Sequence, residues 1–262
     1  MANENSKKLM KIKNKELKDL VASSINSMTL SHHKELLPFI FHQYDLIEYY
    51  QYFDKLSDFF VNPLSSDNRS YHNKLHSQAV SLNCYEAIHH TELPISKEDK
   101  KAILLASLFH DANHSYGLLQ DSANISNAIT AFNNAHDCAK HQVTQEIIKK
   151  AKKLIKYTQY PYVAMSRHIT WHCALVIRDA DMMMAYEQDR VCADLHIGLF
   201  NEINNSRDHY FEPIMKFNYF LENNEQFLQR IVWNTRWAKK KAFNHNFPQR
   251  VKNMKALIES AK

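Results

Sequence analysis

Three short segments of this 262-residue chain hold residue types that can bind a metal ion and move a proton. They are Tyr71-His72-Asn73-Lys74-Leu75-His76, Phe109-His110-Asp111-Ala112-Asn113-His114 and Arg178-Asp179-Ala180-Asp181. His72 and His76 are four apart, so on a helix both rings project from one face. One can ligate a metal while the other meets a substrate beside it. His110 and Asp111 are adjacent and cannot share a helix face; they converge on one ion where a helix ends. The apolar run from Ile103 stops at Phe109, and Asn113 and Gly117 follow, so a helix end is expected there. Asp181 lies between Leu175-Val176-Ile177 and Met182-Met183-Met184. A carboxylate in such surroundings is costly unless it is paired or metal-bound.

Two imidazoles (His76, His110) and two carboxylates (Asp111, Asp181) make a mixed nitrogen and oxygen site. Such a site suits a divalent Zn, Mn, Mg or Fe ion rather than a thiol-selected metal. An ion there can lower the pKa of water and polarise a phosphoryl oxygen. The chain has 16 histidines, so chance pairs at four-residue spacing are expected and no single motif is specific. The joint order of the three segments is the informative feature. His32, His33, His89, His90, His136, His196, His209 and His245 read as surface or packing residues.

The elements that must position these groups read as helices. The chain has only 2 Gly, which argues against a strand-and-turn architecture rich in positive-φ corners. Residues 1–27 form a polar, Lys-rich segment, and 28–262 read as a single helical domain with its motif core at 69–190. Apolar residues recur at helical spacing from Leu30 to Phe60, and Asn62-Pro63 breaks that stretch. A polar loop, Ser65 to Asn68, precedes a helix expected from Arg69 to His90. Ser96, with Glu98 and Asp99 behind it, reads as the start of the next helix. Further helices are expected over Asp121–Ala135, His141–Tyr157, Trp171–Gln188, Ala193–Asn204, Asp208–Leu221, Glu225–Lys240 and Gln249–Ser260, with a break at Tyr160-Pro161.

Bulk properties narrow the function classes. A net charge of +5 suits an anionic substrate but is too weak to argue for nucleic acid as a partner. Lys149, Lys150, Lys152 and Lys153 read as a solvated helix face. Cys84, Cys138, Cys173 and Cys192 form no C-x-x-C pair and look like the scattered reduced thiols of a cytoplasmic protein. No apolar run reaches the roughly 18 residues of a membrane span, and the N-terminus lacks the apolar core of a signal peptide. A homo-oligomer is compatible with everything above.

Together the three segments resemble the HD superfamily of metal-dependent phosphohydrolases, whose minimal pattern H…HD…D falls on His76, His110-Asp111 and Asp181. In that family the last Asp follows a small residue in an apolar helix, which selects Asp181, after Ala180, over Asp179. Within the superfamily, Tyr71-His72-Asn73-x-x-His76 and His110-Asp111-x-x-His114 are similar to motifs of class I cyclic-nucleotide phosphodiesterases. The resemblance covers roughly Tyr71 to Glu187. It implies an all-α helical bundle of the HD/PDEase type and one or two divalent ions. It implies His72 as general acid, His76, His110, Asp111 and Asp181 as metal ligands, and His114 as support of the water network. Asn73 would orient His72 or contact phosphate. The implied reaction is hydrolysis of a small phosphoester, a nucleotide or cyclic nucleotide, by metal-activated water, with Lys74 or Arg69 offsetting phosphoryl charge. Ser115-Tyr116-Gly117 stands where those enzymes carry Pro-Gly, with Asn124 further on, and Gln226-Phe227 matches their base-binding pair by type alone. Three alternatives stay open: a nucleotidase or triphosphohydrolase, a di-iron oxygenase drawing on His136, His141, His168 or His172, and a non-catalytic nucleotide-binding module.

Overall fold

A computed structural model of the chain describes residues 30–56, 71–90, 94–116, 118–141, 143–159, 171–183, 189–205 and 231–243, with isolated positions at 219–220, 222–223, 226–227 and 256. The architecture is all-α. Nine helices of eight or more residues lie among the described residues, with no strand. In chain order they are α1 (Leu30–Gln43), α2 (Ile47–Lys55), α3 (Lys74–His90), α4 (Lys97–Phe109), α5 (Asp121–Cys138), α6 (Gln145–Tyr157), α7 (His172–Met183), α8 (Asp189–Asn205) and α9 (Arg236–Phe243).

Helix α4 is the centre of the bundle. Ser96 caps it, its Oγ accepting the Asp99 N–H at 3.0 Å. Every residue from Ala102 to Phe109 is buried. A helix apolar on all sides belongs inside, and α2, α3, α5, α6 and α7 all pack against α4. Aromatic edges fix its far end, with Phe109 5.8 Å from both Phe53 of α2 and Phe132 of α5 by ring centroids. Helix α6 shows the amphipathic pattern: Ile147, Ile148, Ala151, Leu154 and Ile155 face the core. Its lysines lie on the other side, where Lys150 pairs with Asp99 and Glu146. The basic run is thus a solvated face. No helix among the described residues is long and apolar enough to cross a membrane.

Several boundaries differ from the sequence reading, each for a local reason. The stretch from Leu30 is two helices, because Asp45 adopts a left-handed φ of 57° and the Leu46 N–H turns back to Phe41 O. Helix α3 begins at Lys74, and residues 71–73 form a bend outside it. The Asn73 Oδ1 accepts the His76 N–H at 2.9 Å and so satisfies a donor of the first turn. Thr144 caps α6, so that helix starts at Gln145 rather than His141. Residues 231–235, expected to be helical within Glu225–Lys240, are not. The buried Asp179 carboxylate takes the N–H groups of Asn234 and Thr235, and α9 begins only after them. The breaks at Asn62-Pro63 and Tyr160-Pro161, the loop Ser65–Asn68, Arg69, His168 and the segment 1–27 lie outside the described residues, as does most of the helices expected over Asp208–Leu221 and Gln249–Ser260.

The central place of α4 can be tested by Leu104→Ala. Leu104 is fully buried, and truncating such a side chain costs about 2–5 kcal/mol. Urea unfolding should show a loss in that range, and a loss below about 1 kcal/mol would contradict the packing described.

Candidate metal centre and acid pair

His76 projects from the first turn of α3, His110 and Asp111 leave the C-terminal end of α4, and Asp181 comes from the last turn of α7. These three helices are mutual neighbours, so their ends bring the four side chains to one point. His76 Nε2 lies 3.1 Å from Asp111 Oδ2 and 3.1 Å from Asp181 Oδ1. His110 Nε2 lies 3.0 Å from Asp111 Oδ2, 3.5 Å from Asp181 Oδ1 and 3.3 Å from His76 Nε2. Adjacent residues converge because the helix stops between them and the next turn. The Ala112 N–H bonds to Phe109 O and the His114 N–H to Asp111 O, and Asn113 takes a left-handed φ of 59°.

The protonation geometry decides what this point can hold. His110 Nδ1–H donates to Ser107 O at 2.9 Å, which fixes the tautomer and leaves the Nε2 lone pair facing inward. His76 Nδ1 is buried and has no hydrogen-bond partner. With both rings neutral and protonated at Nδ1, four lone-pair atoms within 4.8 Å of one another would face a single point with no donor among them. A divalent cation satisfies that arrangement, and the donor set fits one. As a purely protein cluster the same groups pair as ions. Burial alone would lower the His110 imidazole, but Asp111 and Asp181 outweigh it and hold it well above its ordinary value. Burial likewise opposes ionisation of Asp181, yet hydrogen bonds from His110 and His76 bring it down to about 2. Asp111 is held well below the carboxylate range against its own burial, by His110 first and His72 next.

A second polar group adjoins the first. His72 Nδ1 meets Glu202 Oε2 at 2.5 Å, and Glu202 Oε1 accepts the backbone N–H groups of Tyr71 and His72 at 2.7 and 3.0 Å. Glu202 comes from α8 and is only 3% exposed. Burial pulls the His72 imidazole down, but the Glu202 carboxylate and then Asp111 raise it to about 9. The His72 ring stacks on His114, centroids 3.7 Å apart and planes 21° from parallel. His114 Nδ1 accepts the Tyr116 N–H at 3.0 Å. Its Nε2 lies 2.9 Å from the Asn124 amide nitrogen, whose partner oxygen is taken by the Ser115 N–H. With Nδ1 accepting, the neutral His114 ring carries its proton on Nε2, and its one lone pair is engaged. Burial and the neighbouring His72 together push its imidazole down to about 3. His72, His114 and Glu202 are close enough to surround an ion, but with the one lone pair of the neutral His114 ring taken by the Tyr116 N–H, the trio is built to hold a proton on His72. Tyr116, 5% exposed, adopts a φ of 54°, a left-handed conformation costly for a bulky residue and common at functional sites.

The structure thus gathers His72, His76, His110, Asp111, His114 and Asp181 at one end of the bundle, with Asn73 beside them as the α3 cap. His72 lies in the bend before α3, so the two histidines meet through that bend rather than along a helix face; their centroids are 5.9 Å apart. Lys74 turns away and bonds the Asp54 carbonyl and carboxylate. Gln226 and Phe227 are exposed. His136 Nδ1 bonds the Tyr49 hydroxyl at 2.7 Å and His141 pairs with Glu48. Sequence reasoning missed Glu202 and the role of Asn124. Glu202 falls three residues after Leu199 on the buried side of α8, and an acid at an inward position was the available signal.

No family model matches the chain, and no curated protein matches it. Among solved structures, the phosphodiesterase domain of the RhoPDE fusion protein from the choanoflagellate Salpingoeca rosetta is similar at 14% identity and a TM-score of 0.55, covering 96% of this chain and 94% of that one. A second crystal structure, of the phosphodiesterase domain of Salpingoeca rosetta rhodopsin phosphodiesterase, matches with the same TM-score over 96% of this chain and 90% of its own. The all-helical fold of the described residues is that of phosphodiesterase domains.

Proposed function

We infer that the chain is a metal-dependent phosphohydrolase acting on a small phosphoester, a nucleotide or cyclic nucleotide. The observation that carries this reading is the convergence of four metal-type donor atoms beside a buried imidazole–carboxylate pair. The fold shared with phosphodiesterase domains supports it. His76, His110, Asp111 and Asp181 would hold a divalent ion, Zn, Mn, Mg or Fe. Bound there, the cation supplies Lewis acidity toward a phosphoryl oxygen and lowers the pKa of water.

The chain's own residues supply the proton. Glu202 holds His72 Nδ1–H, keeps the ring charged at neutral pH and leaves Nε2 as the proton donor to a departing oxygen. The His114 ring, neutral at the same pH, stacks flat against His72 and fixes its plane. Of the histidines an oxygenase would draw on, His136 bonds to Tyr49 and His141 to Glu48. A nucleotidase would use the same groups, and a screen of cyclic against linear nucleotides separates it from a cyclic-nucleotide esterase. Scattered free thiols at Cys84, Cys138 and Cys173 suit a cytoplasmic setting.

Asp111→Ala should abolish hydrolysis and metal retention while circular dichroism keeps its helical amplitude; full activity in that variant contradicts the assignment. The pH profile tests the acid pair. His72 is raised from 6.5 to about 9. The stability its pairing adds is therefore complete below pH 6.5 and lost as pH rises through about 9. The alkaline limb of kcat/KM should follow the same loss. Glu202→Gln should move that limb at least about one pH unit lower, whereas an unmoved limb would remove His72 from the acid role.

A further inference from the structure

Asp179 sits two residues before Asp181, so on α7 the two carboxylates point to roughly opposite sides. Asp181 turns toward the metal cluster. Asp179, 2% exposed, turns toward the C-terminal segment and is saturated there. It accepts the Asn234 N–H at 3.1 Å, the Asn234 side-chain amide at 2.9 Å and the Thr235 N–H at 2.6 Å. Thr235 in turn caps α9, its Oγ1 accepting the Ala238 N–H at 3.1 Å. The other end of α9 is tied as well. Lys241 Nζ donates to Asn83 Oδ1 and Glu86 Oε2 of α3, each at 2.8 Å, and lies 5.3 Å from the Trp237 ring centroid. Between these ties, Trp237 and Ala238 are buried in the core. On a third side of the same turn, Arg178 Nε donates to Tyr157 O of α6 at 2.6 Å.

Helix α9 therefore spans from the helix that carries Asp181 to the helix that carries His76, with a charged group fastening each end. We propose that α9 is a brace that sets the spacing of the metal site, and that Asp179 and Lys241 are its positioning residues. Neither touches the metal cluster. Both act by holding α7 and α3 at the separation at which Asp181 Oδ1 stands 3.1 Å from His76 Nε2. A carboxylate buried at this position for stability alone would be an expensive choice, because an apolar residue could fill the same space without desolvating a charge. A demand for fixed orientation accounts for it. This inference rests on the metal-site reading, and it places the C-terminal segment, distant in sequence from every ligand, in the same functional unit.

The test measures metal binding, not turnover. Full-length protein, stripped of metal, is titrated with Mn²⁺ and with Zn²⁺ against a chelator, for the parent chain, Asp179→Ala, Lys241→Met and Ile148→Ala. Ile148 is buried on α6 away from the brace, so its truncation reports what general destabilisation does to affinity. Asp179→Ala and Lys241→Met should each weaken binding by about tenfold or more, the usual effect of losing a group that orients metal ligands. Helicity should stay at the parent level, and Ile148→Ala should bind within about twofold of the parent, below any such effect. Affinity unchanged in both brace variants overturns the proposal, as does an equal loss in Ile148→Ala. If Asp179→Ala does not fold, Lys241→Met alone decides, because it keeps the side-chain stem over Trp237 and removes only the tie. A parent chain that binds neither ion refutes the metal-site reading itself, an outcome distinct from binding that ignores the brace.

Discussion

The rest of the structure is arranged around a desolvation problem. Two carboxylates and two imidazoles meet where the ends of α3, α4 and α7 come together, inside a bundle whose central helix is buried on every side from Ala102 to Phe109. Ionised acids in such a place are strongly destabilising unless opposite charge stands beside them. With neutral rings the cluster carries two negative charges, and one divalent cation balances it. The Ser107 carbonyl holds His110 in the tautomer that presents a lone pair inward. The sharp chain reversal after Phe109, with Asn113 left-handed, lets neighbouring residues His110 and Asp111 reach the same point.

The His72, Glu202 and His114 group is laid against this cluster by the same two stretches of chain together with α8. The bend at 71–73 presents His72 immediately before the α3 turn that presents His76, and the loop that carries His110 and Asp111 continues to His114. Asn73 divides the two roles in the first stretch by capping α3, so that His72 stays outside the helix and reaches Glu202. In the second stretch, left-handed residues at Asn113 and Tyr116 bracket His114 and bring its ring flat against His72. Opposite electrostatic environments follow from position. His72 sees a carboxylate and stays charged, and His114, buried beside the charged His72, stays neutral.

Much of this was legible in the sequence because it is local. The adjacent His-Asp at the end of an apolar run, and an aspartate inside an apolar helix, announce buried polar groups that need a partner. Of the two aspartates, Asp181 turns to His76 and His110, and Asp179 turns to Asn234 and Thr235. The all-α class followed from a scarcity of glycine and from helical periodicity. What escaped detection depends on residues far apart in the chain. Glu202 is 130 residues from His72, and only tertiary packing shows that it draws residues 71 and 72 out of the helix expected from Arg69. The break at 231–235 likewise has no signal in its own composition. It exists because Asp179, more than 50 residues earlier, competes for the backbone donors that a continuing helix would have used.

The central claim is that His76, His110, Asp111 and Asp181 close on one cation. Anomalous X-ray diffraction from crystals of the Zn-loaded protein tests it most directly. The account requires a peak within about 2.0–2.2 Å of His76 Nε2, His110 Nε2 and a carboxylate oxygen from each aspartate. A peak held by other residues, or one that Asp181 does not reach, would contradict it.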